Sequence, residues 1–341
     1  MEYKEVDGVH IHADIYVPHN RTPSMPIGQW RSVATELQMT NVFLALMIHG
    51  GGHMTLSRKY IRPAQTRHLL AHGFLPVSLD FRLCPEVNLV DGPMTDVRDG
   101  YQWAKDKLPS ELLKRGVLVD SERIVAIGWS TGGHLALSLA WTTLEAGITP
   151  PTAILSFYAP VNFDSADIYR DCGTTLSRPS VSVHQIIKTL PRKPITTYTP
   201  TKADENNHFW LQPGDVRSDL LISIFKDGMG LPLFLSGLPH DTNSNEIEMP
   251  SEDRIAAIDP LAQLRRDRYN TPTCIVHPTK DNIAPYSAAV RFANELKSRG
   301  VRHKFLSPEG VGHAFDVNLQ QGTEEWERCV APGYQFLFDS V

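Results

Sequence analysis

The fifteen residues Ile124–Ser138, IVAIGWSTGGHLALS, constrain this chain more than any other stretch. Ile124 to Ile127 form an apolar run that reads as a buried strand. Leu135, Leu137 and Leu139 follow in a helix-like run, and between the two lies Gly128-Trp129-Ser130-Thr131-Gly132, a Gly-x-Ser-x-Gly turn. A strand that passes into a helix through so short a turn holds its central residue in strained φ/ψ space. Glycines on either side let strand and helix pass without Cβ clashes and leave the hydroxyl exposed. Ser130 is therefore a candidate nucleophile, and the bland alternative is a glycine-rich turn that only packs tightly. The remaining chain decides between them by what else it supplies.

Around this elbow the pattern alternates strand and helix. Tyr3–Val6 and His10–Val17 read as strands joined by an Asp7-Gly8 turn, an antiparallel sheet edge. Pro18 to Thr40 is a polar, proline-containing connection with no function legible in it. Phe43–His49 (strand), Tyr60–Ala71 (helix) and Leu75–Asp80 (strand) suggest a right-handed parallel crossover. A helix over Met94–Lys107 packs through Val97, Tyr101 and Trp103-Ala104, and a strand follows the elbow at Ala153–Phe157. From about Val161 to Ile258 periodicity stops, apart from a helix near Asp219–Lys226 and a loop at Leu238–Pro250. Alternation resumes with strand Thr273–His277, helix Ala284–Ser298, strand His303–Leu306 and a helix over Thr323–Phe338. In helix 284–298, Tyr286, Ala289, Val290, Ala293 and Leu296 form a packing face.

Composition narrows the function classes. The 341 residues are 41% hydrophobic and 21% charged, enough for one large α/β domain carrying an insertion. Net charge is −5 and no basic cluster interleaves with aromatics, so no nucleic-acid partner is expected. The longest apolar run, Val42 to Ile48, is far short of a membrane span, and the N-terminus is charged where a signal peptide needs an apolar core. A soluble, cytoplasmic protein without a membrane partner is expected. Cys84, Cys172, Cys274 and Cys329 are widely spaced, without metal-ligand spacing or a disulfide framework, and read as small hydrophobes.

A nucleophilic serine needs a base, an orienting acid and an oxyanion site. His313, in Gly310-Val311-Gly312-His313, follows the last strand, and its glycines let the loop aim the imidazole inward. Asp281 lies just past the strand ending at His277, where a carboxylate can accept the imidazole N–H and fix its tautomer. Asp316 and Glu309 compete for this role, but a carboxylate from the preceding strand's loop approaches the ring better than an immediate neighbour. His49-Gly50-Gly51-Gly52-His53 brings backbone close to a substrate, and Gly50 and Gly51 with the amide of Thr131 are the candidate oxyanion donors. No Gly-Lys-Ser/Thr or Gly-x-Gly-x-x-Gly spacing points to phosphate or dinucleotide, and the chemistry calls for no metal and no organic cofactor. His49 reads as an anchor of the glycine turn. His53, His134, His240, His277 and His303 read as structural or surface residues, and Asp80, Arg82 and Glu86 as a buried ion pair fixing the neighbouring loop.

The chain order Ser130, Asp281, His313, with His49–Gly52, the stretch Asp80-Phe-Arg-Leu-Cys-Pro-Glu86 and the elbow, resembles the α/β-hydrolase fold-3 group that includes hormone-sensitive-lipase-like esterases. Those esterases carry Asp-Ser-Ala where this chain has Trp129-Ser130-Thr131, and Tyr where it has Phe81. Met47–Arg58 together with Gly128–His134 is closer still to the C-terminal thioesterase or hydrolase domains of fungal non-reducing polyketide synthases. The resemblance implies an α/β-hydrolase fold, a mostly parallel central sheet flanked by helices. Residues 1–160 and 259–341 would be the core, with 161–258 a cap inserted where α/β ligands sit. It further implies an acyl-serine enzyme acting on aromatic polyketide esters or thioesters, with an acyl carrier protein as possible partner. The alternatives are a carboxylesterase for small or aryl esters and, in another class, a non-catalytic binding protein of hydrolase fold. Against the resembling domains about 17 residues, Gly28–Leu44, are interposed, as a retained intron would leave them. Transcript sequencing that finds the segment in mature message would remove that reading.

Overall fold

Strands buried on both faces need no polar alternation, and the central strands of this protein are built that way. In the computed structural model, which describes residues 1–17, 42–163, 182–199, 214–239 and 249–341, β1 (Glu2–Val6) and β2 (Val9–Ile15) form the edge hairpin around Asp7-Gly8. Next come β3 (Val42–Ile48), α1 (Pro63–Ala71) and β4 (Phe74–Leu79). A π-helical turn over Val90–Met94 then leads into α2 (Thr95–Asp106), and the short α3 (Leu108–Leu113) precedes β5 (Val119–Trp129). The elbow opens α4 (Thr131–Glu145), and β6 (Ala153–Phe157) follows. The sheet runs β1-β2-β4-β3-β5-β6-β7-β8; β2 is antiparallel to β4, and the strands from β4 to β8 are parallel.

Alternate residues of β3 and β5 feed the two faces. Leu44, Leu46, Ile48, Ile124 and Ala126 join the core under α2 and α4, whereas Ala45, Met47, Val125 and Ile127 join the core on the opposite face. Helix α4 is buried from Thr131 to Thr143, because it is the layer that closes the centre of the sheet.

Between β6 and β7 the described helices are α5 (Val183–Ile187), α6 (Val216–Lys226), α7 (Gly230–Ser236), α8 (Glu252–Ile258) and α9 (Pro260–Arg265). The helix expected near Asp219 starts at Val216, where the Asp215 carboxylate accepts the Ser218 N–H at 2.9 Å. The chain closes with β7 (Thr273–Val276), α10 (Tyr286–Ser298), β8 (His303–Leu306), α11 (Glu324–Cys329) and α12 (Ala331–Phe338). On α10 the buried face is Ala288, Ala289, Phe292, Ala293 and Leu296, so Tyr286 and Val290 sit at its margin. The single helix expected over Thr323–Phe338 is two helices, because Pro332 has no N–H to continue the ladder from α11.

The polar connection 18–40, most of the expected loop 238–250, His240 and Cys172 lie outside the described residues. Of the interposed segment 28–44, residues 42–44 open β3, where Leu44 pairs with Leu75 and Ile124. Cys84, Cys274 and Cys329 are buried free thiols. Burial pushes the Cys274 thiol up to about 12 and raises the other two. Among the described residues no helix is long and apolar enough to cross a membrane.

Candidate active site

At the C-terminal end of β5 the chain must turn into α4 within one residue. Ser130 pays for the turn with φ 54° and ψ −127°, a left-handed conformation that costs a non-glycine residue on the order of 1–3 kcal/mol. Its N–H donates to Phe157 O on β6 at 2.9 Å, which ties the elbow to the next strand. The flanking glycines are sterically required. A Cβ on Gly128 would lie 2.0 Å from Gly132 O, and one on Gly132 would lie 2.1 Å from Ile48 O and 2.4 Å from His49 O.

The structure brings the three expected side chains together. His313 Nε2 is 3.0 Å from Ser130 Oγ, and His313 Nδ1 is 2.8 Å from Asp281 Oδ2. The loops after β5, β7 and β8 thus converge on one point. Asp281 is fixed independently of the imidazole, since its Oδ1 accepts the N–H groups of Ile283 at 2.8 Å and Ala284 at 2.9 Å. Burial alone would raise its pKa, but the His313 and His277 rings and the Ala284 N–H outweigh burial and hold the carboxyl below its ordinary value. Asp316, the rival, faces away from the His313 imidazole. Its carboxylate accepts from Tyr158 OH at 2.6 Å, Gln65 Nε2 at 2.7 Å and Arg62 Nε at 3.3 Å.

The glycine turn after β3 lies against the nucleophile. A Cβ on Gly50 would meet Trp129 O at 2.7 Å and Ser130 Cβ at 3.1 Å, so only glycine brings backbone this close. Among the described residues no acceptor faces the N–H of Gly50, Gly51 or Thr131. The two halves of this donor set are coupled, because the Thr131 hydroxyl accepts the His53 N–H at 3.2 Å. His49 anchors the turn: its Nδ1 lies 2.8 Å from Gly50 O, and its ring stacks on Phe81 with centroids 4.3 Å apart.

His53 and His134 form a buried pair beneath the turn. His134 Nε2 donates to Ile258 O at 2.7 Å, which leaves its Nδ1 to accept from His53 Nε2 at 3.1 Å. Burial lowers His49 and His134 to about 4 and pushes His53 well below the usual imidazole value.

Asp80, Arg82 and Glu86 do not pair with one another. Asp80 pairs with Arg58; Arg82 makes a two-pronged contact with Asp96, at 2.9 Å through both Nε and Nη2; Glu86 pairs with Arg217 on α6. Each is buried, but its partner comes from another element, a long-range choice that adjacency in sequence does not reveal.

Two residues hold places at the site to which the sequence does not point, His277 reading there only as structural or surface. His277 sits at the base of the acid, with Nε2 2.9 Å from Ala284 O and 3.4 Å from Asp281 Oδ2. Tyr158, at φ 40°, presents its ring edge to His313 with centroids 4.6 Å apart. The only sequence signal for Tyr158 is its position one residue past a strand that neighbours the elbow.

A family model described as alpha/beta hydrolase fold matches residues 45–235, and one described as the prolyl oligopeptidase family matches residues 238–331. The chain is 50% identical over 342 residues to the non-reducing polyketide synthase Preu6 of Preussia isomera and 42% identical over 342 residues to ascC of Acremonium egyptiacum. Each alignment covers 100% of this chain and 15% of the synthase. The chain therefore spans a small part of these relatives. Among solved structures, the native thermophilic esterase Est2 of the planctomycete Thermogutta terrifontis superposes with a TM-score of 0.56 at 18% identity, covering 99% of this chain and 91% of that one. Its butyrate-bound form gives 0.56 at 19% identity, covering 99% and 92%. At such identity the likeness is one of fold.

Proposed function

The chain belongs to the α/β-hydrolase fold family, and from that premise we propose that it is a serine hydrolase working through an acyl-serine intermediate. The observation that carries the reading is the unbroken line from Asp281 Oδ2 through His313 to Ser130 Oγ, at 2.8 and 3.0 Å. His313 Nε2 takes the proton of Ser130 as its Oγ adds to the substrate carbonyl carbon. The oxyanion is held by the N–H groups of Gly50, Gly51 and Thr131, each donor of this kind supplying about 3 kcal/mol to the transition state. Collapse breaks the bond from carbonyl carbon to sulfur or oxygen, and the imidazolium protonates the leaving thiol or alcohol. Water then gives its proton to His313 and attacks the acyl group, and Ser130 recovers its proton as the acid departs. Asp281 holds the imidazole in one tautomer throughout and stabilises its cationic form.

For the substrate we infer an ester or thioester of an aromatic polyketide acid, with an acyl carrier protein as the partner that delivers a thioester. The support is the 50% identity to a non-reducing polyketide synthase across the whole of this chain. Residues 161–258 act as the cap and choose the acyl group, since they enter between β6 and β7 at the end of the sheet where Ser130 stands. The reading is tested by intact-protein mass spectrometry after incubation with an aryl thioester, alongside measured thiol release. Wild type is expected to carry an acyl adduct that Ser130→Ala lacks, and thiol release is expected to fall by several orders of magnitude in Ser130→Ala and His313→Ala. Turnover of simple oxygen esters with neither adduct nor thiol would make it a carboxylesterase instead. No turnover of either, in folded protein, would leave the binding-protein reading.

A further inference from the structure

We propose that Arg217, on α6 and outside the triad, is a positioning residue for the oxyanion turn, so that catalysis depends on how the segment between β6 and β7 docks. The inference rests on the reading of Gly50 and Gly51 as oxyanion donors. Arg217 is only 1% exposed, and its guanidinium is spent mainly on backbone. Nη1 donates to Met54 O at 2.6 Å and to Cys84 O at 2.9 Å, and Nη2 pairs with Glu86. One planar group thus bridges the loops that leave β3 and β4, a task that suits the fixed fork of arginine.

The loop it holds needs an outside anchor. Gly51, Gly52, His53 and Leu56 all have positive φ, at 102°, 64°, 60° and 75°, and two of these are not glycine. Such a run persists only where its surroundings over-determine it. Inside the loop, Gly51 O accepts from Met54 N at 3.1 Å, Thr55 N at 3.0 Å and Thr55 Oγ1 at 2.8 Å, so the position of Gly51 follows that of residues 54 and 55.

The segment between β6 and β7 grips these residues from outside. Arg217 holds Met54 O, Tyr198 exchanges two backbone hydrogen bonds with Leu56 at 2.7 and 3.0 Å, and Leu221, one turn along α6, fills the space beside Gly52. Tyr198 also lies under the guanidinium, 5.2 Å from ring centroid to Cζ, and its OH donates to Asp215 at the start of α6. The competing explanation is that Arg217 merely neutralises Glu86. Glu86 Oε2, however, has no partner among the described residues, so the pair satisfies the carboxylate poorly while serving two carbonyls well.

The double variant R217M/E86L separates the two roles. Replacing both members of a buried ion pair by apolar residues of similar size leaves folding largely intact, whereas Met54 O and Cys84 O lose their donor. With the aryl thioester of the adduct experiment as the probe, kcat is expected to fall about 10- to 100-fold with KM within about threefold, the pattern of an interaction felt only in the transition state. Arg217→Lys, which keeps the charge without the fork, is expected to lie between wild type and the double variant, and it carries the test should the double variant fail to fold. Wild-type kcat in a folded R217M/E86L, or in Arg217→Lys where that variant is the one read, overturns the proposal. Ser130→Ala reads the hydrolase site separately: turnover surviving it would overturn the site and this proposal together. Turnover lost in Ser130→Ala but unchanged in the Arg217 variants overturns this proposal alone.

Discussion

Ser130 and Tyr158 both stand at strand ends in left-handed conformations, at φ 54° and 40°, and they meet across the His313 ring. Tyr158 is held there by its OH donating to Asp316, three residues past His313 in the same loop, with Arg62 Nη2 donating to the phenol oxygen at 3.1 Å. Tyr158→Phe keeps the ring but removes a buried hydrogen bond to a carboxylate. It is expected to cost about 1.5–3 kcal/mol in urea unfolding; a loss below 0.5 kcal/mol would contradict the tether. Asp281→Asn is expected to lower kcat by on the order of 10⁴, because an amide neither fixes the productive tautomer nor stabilises the imidazolium. Burial keeps His49, His53 and His134 neutral, with pKa values depressed below 6.5. The unfolded chain therefore binds more protons below that pH. The stability this contributes is complete above pH 6.5 and drains as pH falls below it, at about 1.4 kcal/mol per unit for each such ring, down to about 4 for His49 and His134. Urea midpoints at pH 7 and pH 5 check this, and equal midpoints would refute neutral burial.

At the scale of elements, the elbow is the most legible part of the sequence because its constraint is local. Gly128 and Gly132 meet backbone oxygens, which cannot move aside. Gly132→Ala is expected to destabilise by more than 4 kcal/mol or to abolish folding, seen as lost soluble yield or lost cooperative melting; a melting temperature within a few degrees of wild type would refute the packing. The strands β3, β4, β6 and β7, and β5 from Ile124 on, are legible for a related reason, since burial on both faces writes largely apolar runs that any window of the sequence displays, whereas β8 is half-buried and shows only through its place in the alternation. The partners of Asp80, Arg82 and Glu86 are not legible. Arg58, Asp96 and Arg217 are chosen by the meeting of distant elements. The segment between β6 and β7 is obscure likewise, because what orders Tyr198 and Arg217 is contact with the glycine turn and not a period of their own. Ser130 and His313 could be picked from spacing and glycine context, whereas His277 gains its place only from the fold of the loop that carries Asp281.

For the whole molecule, the hairpin β1–β2 closes one edge of the sheet and is fastened to α2 and to the loop beyond β4. Lys4 Nζ reaches Asp96 at 2.6 Å and Asp99 at 2.7 Å, and Tyr3 OH donates to Asp80 O at 2.6 Å. Removing residues 1–15 would bare the β4 edge and the unpaired backbone groups along it. Such a truncation is expected to elute as higher-order species in size-exclusion chromatography, and wild-type elution with unchanged melting would show that the hairpin is dispensable. The buried cysteines bear on how the chemistry can be watched. A thioester substrate ends as a free thiol, which a chromogenic disulfide reagent reports only when the enzyme's own sulfurs stay silent. Cys84 and Cys274 are shut from solvent and Cys329 nearly so, and burial raises all three thiols above their ordinary value, which leaves them poor thiolates for such a dye. On the proposed thioester hydrolysis, exchanging Cys172 for serine would leave a protein whose colour change counts turnovers directly, in real time and without a coupling enzyme.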